Sequence, residues 1–345
     1  MGKPFAMMLI RPIESGDLAG LLDMARSASV GLTTLPPNEQ VLAEHIGDSE
    51  RAFSAAVTRP RGERYLLVME NMLSGQLVGC AGMVARVGGF DPFYSYAIET
   101  VVKASKGLGV HKEIKFLNLK EDHKGPSEIG TLFVRPEARG GGNGRLMSLT
   151  RFLFMAAQPQ RFAPVTIAEM RGYVDEEGVS PFWEAIGGHF FEIDFRAADQ
   201  LSANKKEFIA DLMPRHPLYI PMLPAEAQAQ VGQVHPETEG ALKLLEQEGF
   251  RDAQEIDIFD GGPMVKVETT EIRSIKESVQ GSFSATDPKV SSEQMIICND
   301  ALEFRACLGQ AQIDEAGQIT ITNETALALG LRIGDPIRFV AARPS

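Results

Sequence analysis

Long apolar runs, paired cysteines and surplus positive charge are all missing from this sequence. No stretch of about 18 uninterrupted apolar residues occurs, so no membrane-spanning helix is expected. The three cysteines, Cys80, Cys298 and Cys307, form no Cys-x-x-Cys pair, which argues against a zinc ribbon or a dithiol redox site. So sparse and odd a count suits a reducing cytosol, and a cytoplasmic location is expected. The six histidines show no metal-ligand spacing, and no metal site is expected. The formal net charge of −12 lacks the basic footprint that nucleic acid or an anionic membrane surface demands. An anionic small molecule stays admissible, because a loop of backbone N–H groups binds anions whatever the overall charge. Met1 to Met8 contain one lysine and no long apolar run, so they do not read as a signal peptide. The pair Met7-Met8 directly precedes a strand, which makes residues 1–6 read as an expression scar.

What is present suits a globular protein of two domains, or one with an appendage: 345 residues, 44% hydrophobic and 23% charged. Met8–Pro12 predicts a strand. Asp17 is placed to cap a helix over Leu18–Arg26, where Leu18, Leu21, Leu22 and Ala25 recur at helical spacing. A second helix is predicted over Glu39–Ala56, and strands over Tyr65–Glu70 and Leu77–Val87 around a turn. Residues 88–127 lack clean periodicity and read as mixed strand and loop. Glu128–Val134 predicts a strand, Arg145–Ala157 a helix and Ala163–Met170 a strand. Ser180–Ile186 reads as a short helix with Pro181 in its first turn, and His189–Phe195 as a strand. Residues 8–195 therefore form the main domain, of α+β class: a mixed sheet flanked by helices.

Residues 196–273 read as a helix-rich extension. A helix over Glu239–Glu248 is stopped by Gly249 and followed by a strand over Asp252–Phe259. The order helix, Gly, aromatic, strand occurs in both 181–195 and 241–259, as a duplicated half-motif or by chance. Residues 274–295, polar and poor in apolar side chains, read as a linker or mobile loop. Residues 296–345 read as a small β-barrel-like module. Its strands are expected near Gln294–Cys298, Phe304–Ile313, Gln318–Thr322 and Pro336–Ala341, with a helical turn over Asn323–Leu329 closed by Gly330.

One segment carries chemistry. The predicted strand ending at Val134 runs into Arg139-Gly140-Gly141-Gly142-Asn143-Gly144 and then an apolar helix. A helix N-terminus offers unpaired N–H donors and a partial positive charge. Glycines let the backbone approach phosphates without a Cβ clash. The R-x-x-G-x-G spacing thus suits a pyrophosphate such as that of an acyl-coenzyme A. It is neither the P-loop nor the dinucleotide fingerprint, and a plain Gly-rich connection is the competing reading. The strand–loop–helix order resembles the Gcn5-related N-acyltransferase superfamily, in which this loop grips coenzyme A. The resemblance implies direct attack of an amine on the thioester, with the carbonyl polarised by a backbone N–H around Leu132, Phe133 and Val134. The C-terminal module is expected to stand apart from this coenzyme site.

Five separated blocks sharpen the resemblance: "TLFVRPEARGGGNGRL" (131–146), "IAEMRGYVDEEGVSPFW" (167–183), "FIADLMPRHPLY" (208–219), "VGQVHPET" (231–238) and "IDIFDGGP" (256–263). Together they resemble the arginine N-succinyltransferase family from about residue 8 to the C-terminus. The resemblance implies transfer of succinyl from succinyl-CoA, a co-substrate and not a tightly bound cofactor, to the α-amino group of L-arginine, with ornithine a further acceptor. It implies His235 as the proton-transfer residue and Leu132 as a succinyl-CoA contact. It also implies a homo-oligomer, or a heteromer with a related subunit. A non-catalytic or regulatory subunit, or an acyltransferase for another small amine, are the alternatives.

Other residues have plainer readings beside functional ones. His235 precedes Pro236 and reads equally as a loop histidine fixed by backbone bonds. Glu169 and Arg171, two apart, are candidates for substrate binding and for a simple ion pair with each other. Asp260, beside Gly261-Gly262-Pro263, is a candidate for substrate binding and for turn capping. Trp183 is expected in the core and Cys80 to be inert.

Overall fold

The computed structural model describes residues 7–27, 34–175, 177–202, 207–290 and 293–344. Residues 1–6, read above as an expression scar, lie outside the described residues. Sixteen strands form one continuous mixed sheet. In chain order the first seven are β1 (Met8–Pro12), β2 (Arg64–Asn71), β3 (Gln76–Val84), β4 (Phe93–Ser105), β5 (Val110–Asp122), β6 (Ser127–Val134) and β7 (Val165–Glu169). Then come β8 (Leu218–Tyr219), β9 (Arg251–Ile256), β10 (Pro263–Glu268), β11 (Val279–Thr286), β12 (Met295–Cys298), β13 (Ala306–Gly309), β14 (Ala311–Ile313), β15 (Gln318–Ile321) and β16 (Pro336–Ala341). Across the sheet they run β14-β15-β11-β16-β12-β13-β1-β2-β3-β6-β7-β10-β9-β4-β5-β8. Helices α1 (Leu18–Ser27) and α2 (Glu39–Ala52) pack on one face of the β1–β2–β3 region, burying Leu21, Met24, Leu42 and Ile46 against Leu66, Val68 and Phe133. On the other side lies α3 (Asn143–Ala157).

Helix α3 is buried without interruption from Leu146 to Met155. A helix buried around its whole circumference must be covered on every side. Here Tyr65, Leu67, Met83 and Ile129 belong to the main sheet, and Ile296, Cys298, Phe304 and Val340 to the C-terminal strands; all share one core with α3. The C-terminal module is therefore not a separate body. Antiparallel pairing of Leu9 with Cys307 and of Ile10 with Ala306 joins its strands to the main sheet. They are β-rich as expected, but among the described residues no pairing closes them into a barrel.

Several expectations need correction. Asp17 does not cap α1; its carboxylate accepts from the Glu14 N–H and binds Arg11. Residues 88–127 contain a hairpin, β4 and β5, paired from Phe93↔Asp122 to Ser105↔Val110. Its outer half is solvated on both faces, as the exposure of Val102 and Leu108 shows, so no period-2 alternation marks it. His189–Phe195 is not a strand: α4 (Pro181–Ala185) is followed at once by α5 (Gly188–Phe191). The Phe191 ring stacks on Trp183 at 5.3 Å, and Trp183 Nε1 donates to the Ile193 carbonyl at 3.1 Å. Both contacts need a chain that curls back on Trp183. The supposed echo of 241–259 in 181–195 loses its strand with it. Residues 274–295 are no loop throughout: β11 lies between β15 and β16, and Phe283 is its one buried side chain. So short an inward signal is easily missed in sequence. Trp183, at 0% exposure, is core as expected.

A buried ion pair ties three parts of the chain together. Arg273 donates from Nε and Nη2 to Glu248 Oε1, at 3.0 and 2.7 Å. Glu248 Oε2 accepts from the Ser274 N–H, and Arg273 also reaches the Ala341 carbonyl at the end of β16. Removing one partner of a buried pair strands the other charge. Glu248→Ala is expected to cost about 3–5 kcal/mol of stability, read by denaturant unfolding; a loss under about 1 kcal/mol would show the pair to be effectively solvated.

Candidate active site

The site is prepared by a fault in the sheet. Strand β6 pairs in parallel with β7 only at Ser127↔Thr166 and Glu128↔Ile167. Beyond that point β7 continues along β10, from Glu268↔Val165 to Met264↔Glu169, while β6 keeps to β3. On the β3 side the register slips between Cys80↔Phe133 and Gly82↔Gly130, and Thr131 carries a positive φ of 50°. This is a β-bulge, which bends the strand and turns backbone groups out of the ladder. The bulge fits because Gly82 faces it: a Cβ there would lie 2.9 Å from Thr131 Oγ1. Behind it, Arg151 of α3 donates to the Gly130 carbonyl and to Ser148. Burial pushes the Arg151 guanidinium down to about 9, so this arginine is held for its geometry in spite of its charge.

The split leaves Leu132 beside an opening between two strands, with its backbone released from β7. Phe133 and Val134 bury their side chains in the cores on opposite faces, so only their backbone can face a ligand. The loop that follows is built to present N–H groups. Gly140, Gly141 and Gly142 have φ of 101°, 59° and 91°, values that a side chain strongly disfavours. Gly142 is the N-cap of α3 and accepts from the Leu146 N–H at 2.8 Å. Asn143 Nδ2 donates to the Ala138 carbonyl and Arg139 Nε to the Val134 carbonyl, so both side chains shape the loop, whose Arg139 and Asn143 N–H groups donate to the Pro136 and Gly140 carbonyls. Gly144 stands in the first helical turn with nothing within 4 Å of a Cβ position. Helix α3 starts at Asn143, slightly before the expected Arg145.

Because β6 and β7 are parallel, the segments after them leave the sheet at the same end. The segment after β7 is woven with two others. The Met170 N–H donates to the Pro263 carbonyl, the Gly232 N–H to the Gly261 carbonyl, and the His235 N–H to the Arg171 carbonyl, at 2.9, 2.9 and 2.8 Å. Asp260 locks the weave: Oδ2 accepts from the Gly172 N–H at 2.7 Å and Oδ1 from the Gly262 N–H at 2.8 Å. Both of its oxygens thus serve backbone, as the turn-capping reading expects.

His235 is mostly buried, with 14% of its side chain exposed, and its ring stacks on Tyr173 at 6.5 Å. Nδ1 accepts from the Glu237 N–H at 3.2 Å, which leaves the ring proton on Nε2. The pKa of the imidazole is lowered, first by burial and then by the Arg171 guanidinium; Glu237 and a backbone hydrogen bond to Val174 act the other way. Arg171 pairs with Glu237 at 3.1 Å, not with Glu169 as the simple ion-pair reading required. Its buried Nε has no hydrogen-bond partner among the described residues. Glu169 ends β7 opposite Met264.

Arg151, the Thr131 bulge and Tyr173 are absent from the sequence reading. Gly79 and Gly82 in a β-rich run were the one available sign of the bulge. Cys80, Cys298 and Cys307 are all buried, with thiols pushed up to about 12, which fits inert core cysteines. Among the described residues, no helix is long and apolar enough to cross a membrane, and no group of three or more His, Cys, Asp or Glu is placed to hold a metal ion.

Comparison with known proteins adds an independent line. A family described as arginine N-succinyltransferase beta subunit matches residues 8–274, and its C-terminal domain matches residues 278–341. The arginine N-succinyltransferase of Yersinia enterocolitica is 43% identical over 97% of this chain and 98% of its own. That of Yersinia pseudotuberculosis is 41% identical over the same shares. A solved structure of arginine/ornithine succinyltransferase subunit AI from Pseudomonas aeruginosa is 36% identical and superposes with a TM-score of 0.89, covering 98% of this chain and 100% of that one.

Two loop substitutions separate folding from ligand binding. In Gly142→Val the Cβ meets a positive φ and lies 3.2 Å from Leu308 Cδ1, so a stability loss of about 1–3 kcal/mol is expected. Gly144→Val has room and should keep its melting temperature, while the KM for acyl-coenzyme A rises strongly. Unchanged acyl-coenzyme A affinity in folded Gly144→Val would remove the pyrophosphate from this loop.

Proposed function

The chain belongs to the arginine N-succinyltransferase family, and on that footing we propose that it transfers the succinyl group of succinyl-CoA to the α-amino group of L-arginine. Ornithine is proposed as a second acceptor, since the superposed Pseudomonas aeruginosa protein is described as acting on both. The observation that carries the reading is the parting of β6 from β7 at a bulge, directly ahead of the Gly-rich loop. The opening suits a pantetheine thioester laid between the strands. The loop amides and the α3 N-terminus suit the pyrophosphate, and a backbone N–H at the bulge, near Leu132, suits the thioester carbonyl.

The amine attacks the carbonyl carbon, the C–N bond forms, and the C–S bond breaks with its electron pair leaving on sulfur. The ammonium must lose a proton and the thiolate must gain one. His235 is assigned to this transfer. The neutral ring, with Nδ1 accepting from the Glu237 amide, first takes the ammonium proton, and the imidazolium so formed returns a proton to the thiolate. Acting as the base requires the Glu237 contact to open. Arg171, with its unpartnered Nε, is assigned to a substrate carboxylate, and Glu169 to the acceptor side of the same opening. The intact loop supports a catalytic subunit over a non-catalytic one.

The direct test is thiol release from succinyl-CoA with a panel of amines. Arginine with succinyl-CoA should give the highest kcat/KM among the pairs, because a site built for the second carboxylate is left unpaired by acetyl. Equal or better turnover with acetyl-CoA would refute the donor assignment.

His235→Asn is expected to lower kcat by about 10²–10⁴ with little change in acyl-coenzyme A binding. The acidic limb of the wild-type kcat–pH profile should lie below the ordinary imidazole value of 6.5, because burial and Arg171 favour the neutral ring. Activity rises as pH climbs through that lowered pKa and the ring sheds its proton. His235→Asn should lose the limb; retention of both limb and rate would take His235 out of the reaction.

A further inference from the structure

A hollow of about 540 Å³ opens beside the coenzyme loop, lined by Gly141, Gly142, Arg145, Gln294, Ala342 and Arg343. Half of these residues belong to the C-terminal segments, which the sequence had set apart from the coenzyme site. Their position is fixed from behind. The Ala342 N–H donates to the Gln294 carbonyl at 3.0 Å, and Ala342 is 4% exposed. Leu308 and Gln294 side chains lie within 4 Å of where a Gly142 Cβ would stand. The chain thus leaves the core at Ala342 and carries the exposed Arg343 over the loop.

The charge in the hollow is one-sided. Arg145 hydrogen-bonds the uncharged Gln247 at 3.0 Å through Nη2, and its buried Nη1 has no partner among the described residues. Burial lowers its pKa first of all, and the guanidiniums of Arg343 and Arg273 lower it further. Glu248, the carboxylate acting on Arg145, is bonded to Arg273. Neither Arg145 nor Arg343 has an ion-pair partner among the described residues. Two like charges held together without a counter-ion form a seat for a dianion.

We propose that Arg343 and Arg145 form a specificity clamp for the ribose 3′-phosphate of the acyl-coenzyme A donor. The inference rests on the acyl-coenzyme A reading given above. The loop amides and helix terminus supply the donors a pyrophosphate needs, whereas a terminal phosphomonoester carries close to two charges at pH 7 and three acceptor oxygens. That charge matches two free guanidiniums. The C-terminal segment thereby becomes part of the donor site, and the site is incomplete until Arg343 is in place.

The test measures binding of coenzyme A and of 3′-dephospho-coenzyme A to the full-length wild type, Arg343→Met and Arg343→Lys by calorimetry, alongside KM and kcat for their succinyl thioesters. The wild type should prefer coenzyme A over the dephospho form by about tenfold or more, the range of a charge-assisted contact. Arg343→Met should erase most of that preference through Kd and KM, leaving kcat and dephospho-coenzyme A binding unchanged, and Arg343→Lys should restore part of it. Arg343 is exposed at the end of the last strand, so its variants should fold. An equal loss for both ligands would move Arg343 to the pyrophosphate and overturn the proposal, as would no loss at all. A wild type that bound neither ligand would overturn the acyl-coenzyme A reading itself.

Discussion

Helix α3 has no solvent face between Leu146 and Met155, and most of the molecule is arranged to cover it. The main sheet covers one side and the C-terminal strands the other. A helix so enclosed can offer a ligand only its ends. Its N-terminus emerges where β6 leaves β7, so the same burial that stabilises the core aims the first-turn amides at the opening. This also explains why the module beginning with β11 lies against the Gly-rich loop: a strand array that covers α3 along its length reaches Gly142 through Leu308 and Gln294.

Charge is organised locally and against the average. The chain is strongly acidic, yet Arg145 and Arg343 both line the hollow. With a Debye length of about 8 Å at physiological salt, distant carboxylates on the surface are screened, while groups in contact with a ligand act almost unscreened. The neighbourhood of His235 follows the same logic at smaller scale. Burial first, and then Arg171, favours the neutral ring, and Glu237 pairs with Arg171. The imidazole is kept in one tautomer by a backbone amide, which is how a structural loop histidine looks as well. The plain reading and the functional one describe the same contacts.

Much of this was legible in sequence because it rests on local rules. Pro336–Ala341, Met8–Pro12 and the helix closed by Gly330 were readable from alternation, spacing and a left-handed stop. The loop at 139–144 was readable because three consecutive glycines have a steric meaning. What was hidden is non-local. The bulge at Thr131 depends on Gly82 in another strand, and the hairpin beyond Ile98 stands in water and carries no core pattern. The helical turn at 188–191 answers to Trp183, and its apolar residues are equally good strand formers. Asp260 was rightly suspected of turn capping, but the turn it also holds, at Gly172, lies 88 residues away in the chain. The weave around His235 could not be read from any single block.

The enclosure of α3 has a consequence in time. The ribosome releases the chain from its N-terminus, and α3 emerges long before β12 and β16. Between Ala157 and Ala342 the elongating chain spends on the order of 10–40 s at ordinary synthesis rates. Throughout that interval the main domain can fold around β1 to β7, but the outer side of α3, with no strand to lie against, remains an apolar surface open to chaperones or to neighbouring chains. The loop at 139–144 is complete early, yet Ala342 and Arg343, which wall its hollow, follow much later in the chain. The hollow beside the loop therefore gains its full lining only once the chain has been made through Arg343.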